Sequence, residues 1–490
     1  MDINPSSKSL TFLNKASALP LCVDLDGTLI YSDLLLESFL LLIKKNPFYS
    51  IIILYNFFQG KAALKAYIAK NITINPALLP YNITFLNWVK EQKTQGRSVW
   101  LCTASNEKLA YSISNYLKLF SGTFASSDTI NLSGEIKSKR LVEQFGEKAF
   151  DYCGNHLVDL AVWKKSHTAI IVNSNNDLIK NTSNHVQISK IFPSKKISTI
   201  KLFCKALRLH QWIKNILIFL PLIAAHQWLD LHKLYYAFLA FLSFSLIASS
   251  VYVVNDMFDL ENDRLHPRKK NRPFASGDLS LMYGLISAPV LFIIACSIAQ
   301  FLPISFIAIL FSYYILTFLY SLRLKRIVLV DTIVLATLYT SRIIAGGLAL
   351  NIYLSFWLLT FSIFLFLSLS FVKRYAELKA LQLNSSQPLK TEGRDYHTDD
   401  MPIIHSYGVS SGYLSVLVLA LYINSPIVVK LYRYPERISF LCVLLLYWIS
   451  WIWLQTHRGN MDDDPLIFAL KDKVSLIVLA LSIITILYAL

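Results

Sequence analysis

The sequence predicts an α/β head on an open parallel sheet, joined to an all-α polytopic membrane domain of about nine transmembrane helices. Two observations carry this. Hydrophobic residues fill 54% of the 490 positions and the mean hydropathy is +0.46, more than a soluble chain carries, and the excess falls after the first 200 residues as apolar runs separated by short charged connections. Near the start, Pro20-Leu21-Cys22-Val23-Asp24 is a short apolar run of the kind buried on both faces as a central parallel strand. A chain of this length holds two or three domains. The polar linker 183–201, with Pro193 and Lys195-Lys196, places the head at residues 1–195 and the membrane domain at 196–490.

Residues 1–18 are polar and lack an apolar stretch with a small-residue cleavage site, so the head is expected to stay in the cytoplasm. The six cysteines, Cys22, Cys102, Cys153, Cys204, Cys296 and Cys442, stand far apart with no CxxC pair and no Cys/His metal spacing; they read as reduced packing residues. A net charge of +16 raises the question of nucleic acid. The basic residues gather instead at the ends of apolar segments, a distribution that suits anionic lipid and phosphate-bearing substrates and argues against nucleic acid.

The first strand runs into Asp24-Leu25-Asp26-Gly27-Thr28-Leu29, and groups at the carboxyl end of such a strand stand in the ligand crevice of an open α/β sheet. Two aspartates so spaced divide the labour of phosphate hydrolysis: Asp24 as nucleophile, Asp26 as acid for the leaving group and base for water. Gly27 lets the backbone turn tightly. From Asp33 to Lys61 the chain is unusually apolar, which fits either a buried cap helix pair or, given Lys44, Lys45, Phe48 and Tyr49, a segment resting on the cytoplasmic leaflet. Ser98-Val99-Trp100-Leu101-Cys102 reads as a second strand leading to Thr103, whose hydroxyl and neighbouring amides suit a phosphate. Phe150-Asp151-Tyr152-Cys153 reads as a third, leading to Gly154-Asn155-His156-Leu157-Val158-Asp159 and a carboxylate for Mg²⁺. Lys137 is placed to neutralise the phosphate, with Lys139 as its competitor. This ordered set resembles the haloacid dehalogenase (HAD) phosphohydrolase superfamily over about residues 18–195. The resemblance implies a Rossmann-like sheet with Asp24, Asp26 and Asp159 around Mg²⁺. Asn155 departs from it, standing where an aspartate is common and lowering the negative charge offered to the metal. A head that keeps the fold without catalysis is the alternative.

In the membrane half, windows long enough to cross the hydrocarbon core fall at 212–228, 234–254, 282–300, 304–320, 327–350, 353–372, 411–429, 438–455 and 473–490. With a cytoplasmic amino terminus, the even-numbered connections carry Arg264, Arg268, Lys269, Lys270 and Arg272; Arg323, Lys325 and Arg326; Lys373, Arg374 and Lys379; and Arg458 and Lys471. That bias favours the cytoplasmic face, against Lys430, Arg433 and Arg437 on the other side. These features describe a multi-pass protein of the inner (cytoplasmic) membrane.

The second and third crossings flank Asn255-Asp256-Met257-Phe258-Asp259-Leu260-Glu261-Asn262-Asp263. On one continuous helix, Asp256, Asp259 and Asp263 fall three and four residues apart, with Asn255 four before Asp259, and they point one way. Like charges this close to hydrocarbon are costly, and Mg²⁺ bridging them to an anionic substrate gives them a purpose. A solvated acidic helix end, neutralised by the following basic run, is the plain alternative. Asp395 and Asp399 repeat the four-residue spacing and are candidates for a second metal, or part of a surface loop. Lys373 and Arg374 suit phosphate oxygens but are also ordinary topology signals. Arg342 falls inside an apolar run, where an unpaired charge is costly, and is expected to contact the acidic cluster.

Asn255-Asp256-x-x-Asp259-x-x-x-Asp263 with Arg272-Pro273 resembles the UbiA superfamily of intramembrane prenyltransferases, nine-helix proteins with two Asp-rich motifs. Arg208-Leu209-His210-Gln211-Trp212-Ile213-Lys214-Asn215, His266-Pro267-Arg268-Lys269-Lys270-Asn271-Arg272-Pro273, Tyr320-Ser321 with Lys325, and Lys373-Arg374-Tyr375-Ala376-Glu377-Leu378 are similar to its decaprenyl-phosphate phosphoribosyltransferase branch, over about residues 205–490. The likeness implies transfer of 5-phosphoribose from phosphoribosyl pyrophosphate to a polyprenyl phosphate. Lys214, Asn215, Lys269, Arg272, Tyr320, Lys325, Arg342, Lys373 and Arg374 are then candidate substrate contacts. Two other readings stand beside it: a polyprenyl diphosphate donating its chain to a small acceptor, and a lipid-binding scaffold in which only the head is active. Oligomeric state is not written in the sequence.

Overall fold

Leu21, Cys22 and Val23 are fully buried and form β1, the middle of the head's sheet. The computed structural model describes residues 19–46, 48–174, 176–195, 197–384, 394–424, 432, 434–461 and 464–489. They group into two compact units, one comprising everything described up to Phe203 together with Asp256–Tyr283, the other Cys204–Asn255 with Gly284–Leu490.

In the first unit, β2 (Val99–Asn106), β3 (Gly122–Ser126), β4 (Asp151–Gly154), β5 (Ala169–Ser174) and β6 (Ile188–Pro193) join β1 in a six-stranded sheet of order β3-β2-β1-β4-β5-β6. All pairings are parallel, with Leu21 opposite Val99 on one side and Asp151 on the other. β1 therefore has neighbours on both edges and its carboxyl end opens into the crevice expected of a doubly wound sheet. The connecting helices begin where side chains cap their free amides: Asp33 for Leu34–Lys45, Asn82 for Ile83–Thr94 and Asn106 for Glu107–Leu117. β2 runs past Cys102, so Thr103 lies within the strand and not beyond it. The apolar stretch after Asp33 divides. Leu34–Lys45 packs Leu34, Leu40 and Leu42 into the core, whereas Tyr49–Phe58 leaves Ile52, Tyr55 and Phe58 exposed.

In the second unit, and counting the span that runs on from it, seven described helices are long and apolar enough to cross a membrane. They are Leu231–Phe258, Leu281–Ala299, Ile304–Leu322, Val330–Ala349, Phe356–Gln382, Thr398–Ile423 and Glu436–His457. Two shorter apolar helices, Leu209–Ala224 and Lys473–Ala489, fall at the first and last expected crossings. The first is irregular: Arg208 takes a positive φ of 52°, Leu209–Phe219 is wound as a 3₁₀ helix, and Pro221 opens the short α-helix Leu220–Ala224. Residues 425–429 of the seventh expected crossing, with Lys430 and Arg433, lie outside the described residues. Small residues let these helices approach: Ser243 donates to the Ala295 carbonyl, Ser250 to that of Ala288 and Ser368 to that of Gly408. All six cysteines are free thiols.

Candidate active sites

β1 delivers Asp24 to the crevice with only 8% of its surface exposed. Lys137, on the helix Glu135–Phe145, donates to Asp24 Oδ1 and to the Tyr152 hydroxyl, both at 2.9 Å, while Lys139 is exposed. The Tyr152 hydroxyl donates in turn to Asp159 Oδ1 at 3.0 Å, and Asp159 Oδ2 accepts from the amides of Asn155 and His156. Asp159 thus closes the loop after β4 as well as facing the cation line. Asp26 accepts from the Leu34 amide and from the Ser105 hydroxyl, each at 2.8 Å. Fully buried Thr103 accepts from the Ser105 amide at 3.0 Å and so fixes the turn that brings Ser105 to Asp26. Gly27 takes φ +69° against Asn155, whose amide nitrogen would stand 2.1 Å from an added Cβ.

Burial pushes the Asp24 carboxyl up, with Lys137 opposing and Asp159 adding to it; burial, then Asp33 and Asp24, push Asp26 up. For Lys137, burial is outweighed by Asp24 and Asp159, and its ammonium is held above the usual lysine range. Two buried carboxylates held up in this way gain from a divalent cation, so the residues fit Mg²⁺. Ser105 and Tyr152 are the contacts that sequence reasoning missed.

The acidic segment departs from a single helix. Leu231–Phe258 stops before Asp259, which has φ −102° and ψ 18° and begins a second helix, Leu260–Leu265. The break brings two carboxylates to one point: Arg272 Nη1 lies 3.1 Å from Asp256 Oδ1 and 2.7 Å from Asp263 Oδ2. Asp256 and Asp263 are buried at 2% and 3% exposure. Burial raises the Asp263 carboxyl to about 6, against Arg272 and with Asp256 and Asp259 adding to the rise. Two buried carboxylates gathered in this way gain from positive charge, which Arg272 supplies here and which Mg²⁺ would supply with Arg272 moved aside to a phosphate oxygen. Asp259 is turned elsewhere, half-buried and 3.5 Å from Lys44. Asn255 is half-buried on the long helix, and Lys269 is half-buried in the turn Lys269–Asn271.

In the second unit Lys214 forms a buried ion pair with Asp464, a residue the sequence reading passed over although it ends the acidic run after Met461. Burial alone would raise Asp464, but Lys214 and then Lys373 hold its carboxyl below the usual range. Asn215 donates to Ser245 at 2.9 Å and accepts from Arg342 Nε at 2.8 Å. Arg342 also meets the Leu338 carbonyl, the Tyr313 hydroxyl and the ring faces of Phe244, Tyr313 and Tyr339. Its described partners are carbonyl, amide, hydroxyl and aromatic groups, so the expected contact with a carboxylate cluster is replaced by this neutral cage. Arg374 pairs with Asp331 at 2.5 Å and with Glu377; Tyr320 donates to Asp331 at 2.7 Å, and Arg394 reaches Glu377 at 3.1 Å. Lys373 and Lys325 are half-buried. Asp395 and Asp399 are both exposed. Asp395 lies in irregular chain before the turn Thr398–Asp400, so the four-residue spacing is not on a helix. Among the described residues no three His, Cys, Asp or Glu side chains are grouped to hold a metal on their own. Mg²⁺ needs fewer, since it keeps waters and takes substrate phosphates.

Residues 216–477 match the UbiA prenyltransferase family. An uncharacterized protein of Sinorhizobium fredii is 35% identical over 93% of this chain and 88% of its own length. Nodulation protein NoeC of Azorhizobium caulinodans is 36% identical over 58% of this chain and 93% of that one. Decaprenyl-phosphate phosphoribosyltransferase of Mycobacterium tuberculosis is 36% identical over 36% of this chain, which spans 59% of that relative's length.

Proposed function

The chain belongs to the UbiA prenyltransferase family, and from that premise we propose a bifunctional membrane enzyme whose transferase half moves 5-phosphoribose from phosphoribosyl pyrophosphate to a polyprenyl phosphate. The observation that carries this reading is the convergence of Asp256 and Asp263 on one cationic nitrogen. An oxygen of the lipid phosphate attacks C1 of the ribose, the bond from C1 to the diphosphate oxygen breaks, and pyrophosphate leaves. Asp256 and Asp263 would hold Mg²⁺, with Asp259 next to them in the chain and Asp395 and Asp399 as candidates for a second ion; bound there, the metal would supply positive charge to the departing diphosphate. Lys214, Lys269, Arg272, Lys325, Lys373 and Arg374 are the candidates for phosphate oxygens, with Asn215, Tyr320 and Arg342 as further substrate contacts; Asn215 accepts from Arg342, and the Tyr320 hydroxyl meets Arg374.

In the HAD-like head, Asp24 attacks phosphorus on the 5-phosphate of the product. The ribose 5-oxygen leaves with a proton from Asp26, and water activated by Asp26 then frees phosphate from Asp24. Lys137 balances the charge of phosphate and nucleophile, Thr103 receives a phosphate oxygen, and Asp24, Asp26 and Asp159 supply the Mg²⁺ position. The head faces the cytoplasm and the spans cross the inner membrane, which the placement of Lys and Arg supports. Fusing the two activities keeps the intermediate at high effective concentration for the second step.

The family match also supports a second reading, in which a polyprenyl diphosphate donates its chain to a small acceptor. Supplying labelled phosphoribosyl pyrophosphate with polyprenyl phosphate, or labelled polyprenyl diphosphate, to the purified protein separates the two. The first reading expects a labelled phosphoribosyl lipid, absent in Asp256→Asn and accumulating with its 5-phosphate intact in Asp24→Asn. Label transferred from the prenyl donor alone would replace it with the second.

A further inference from the structure

The acidic segment breaks at Asp259 although its local sequence, Met257-Phe258-Asp259-Leu260-Glu261-Asn262, contains neither glycine nor proline. Phe258, Asp259 and Asn262 are weaker helix formers than Leu260 and Glu261, but none of them ends a helix by itself, so tertiary contact is what fixes the break at Asp259. The contact comes from the head. Lys44, in the last turn of Leu34–Lys45, donates to the Phe258 carbonyl at 2.5 Å and stands 3.5 Å from Asp259 Oδ1. The last carbonyls of a helix lack intrahelical partners and carry its negative end, and an ammonium there closes the helix. One turn after the break, Arg264 meets Glu37 through both terminal nitrogens, at 2.9 and 2.5 Å, while its Nε donates to the Ala275 carbonyl at 2.8 Å. The two side chains are 8% and 4% exposed, so this is a buried bidentate pair that fixes Leu260–Leu265 against the head's helix. Around the rest of the segment, Lys195 pairs with Asp278 at 2.6 Å, and Gly277 packs so tightly on Tyr31 that an added Cβ would lie 2.5 Å from the Tyr31 Cβ. The same helix starts at the head's catalytic loop, where the Leu34 amide is bound to Asp26.

We propose that Glu37 and Lys44 are positioning residues of the transferase: the head's helix Leu34–Lys45 sets where the long membrane helix ends, draws Asp259 aside to Lys44 and thereby aims Asp256 and Asp263 at one cation. The head is then a working part of the membrane site whether or not its own phosphatase chemistry runs. This rests on the reading of that segment as the cation-holding motif.

Mn²⁺ binding to the full-length protein, followed by electron paramagnetic resonance without substrate, tests it; the relevant part is the binding lost in Asp256→Asn. Glu37→Arg and Arg264→Glu should each weaken that part roughly tenfold, the scale on which partners of metal ligands act. The paired exchange should bring it back to within about threefold, because the two changes share one contact. Lys44→Met alters a side chain with 26% exposure, beside an Asp259 side chain with 14%, so it should weaken Mn²⁺ while lowering the melting temperature far less than Glu37→Arg does, and Lys44→Arg should restore the binding. Asp256-dependent binding indifferent to both Glu37→Arg and Lys44→Met overturns the inference alone. Mn²⁺ binding that never depends on Asp256 removes the acidic-motif reading, and this inference with it.

Discussion

Arg374 and Asp331 are 1% and 0% exposed and 2.5 Å apart, so each charge is offset inside the protein chiefly by the other, with Glu377 and the Tyr320 hydroxyl as further partners. Arg374→Met should therefore cost about 3–5 kcal/mol, the usual penalty for stranding a buried charge. Arg374→Met combined with Asp331→Leu should recover much of that loss in thermal unfolding of the detergent-solubilised protein. A single variant as stable as the unaltered chain would show that the pair does not bear on stability. At this scale the placing of the head's carboxylates was legible because Asp24, Asp26 and Asp159 follow the ends of β1 and β4 in order, whereas Thr103 falls inside β2. Lys137 and Lys139 were not separable until the helix Glu135–Phe145 was seen: residues two apart face different ways, and Lys137 is the one that turns to Asp24. Asp464, Ser105 and Tyr152 stayed hidden because their partners, Lys214, Asp26 and Lys137, sit on other elements that only the fold brings beside them. Nothing in local spacing announces such pairs.

Apolar length located the spanning elements well, since a helix that crosses hydrocarbon has to satisfy its backbone internally whatever it packs against. It did not show that Leu209–Phe219 winds as a 3₁₀ helix. That stretch passes so close to Val330–Ala349 that a Cβ on Gly346 would lie 2.1 Å from the Ile218 carbonyl oxygen. Gly346→Ala should push these elements apart, at a cost of about 1–3 kcal/mol for overpacking. The melting temperature of the purified protein reads this, and no change on substitution would mean that the two elements shift freely. Helical spacing likewise misplaced the carboxylates. Asp256 and Asp263 do converge, but through the break at Asp259, and Asp395 and Asp399 occupy irregular chain and a short turn. Periodicity describes a helix only while the helix lasts.

For the whole molecule, the parallel sheet and the polytopic helical domain were both legible from where apolar residues cluster. The grouping of Asp256–Tyr283 with the head was not, because Glu37 with Arg264 and Lys44 with Phe258 join segments more than two hundred positions apart in the chain. The account stands on Asp256 and Asp263 holding a divalent cation that draws diphosphate from an activated sugar. Release of labelled pyrophosphate from phosphoribosyl pyrophosphate by the purified full-length protein, with and without polyprenyl phosphate, tests this most directly. The result expected is release that requires both Mg²⁺ and the lipid, and that falls at least a hundredfold in Asp256→Asn, on the scale of losing a charge-stabilising group. Release that is absent with the lipid present, or that persists undiminished in Asp256→Asn, would contradict it.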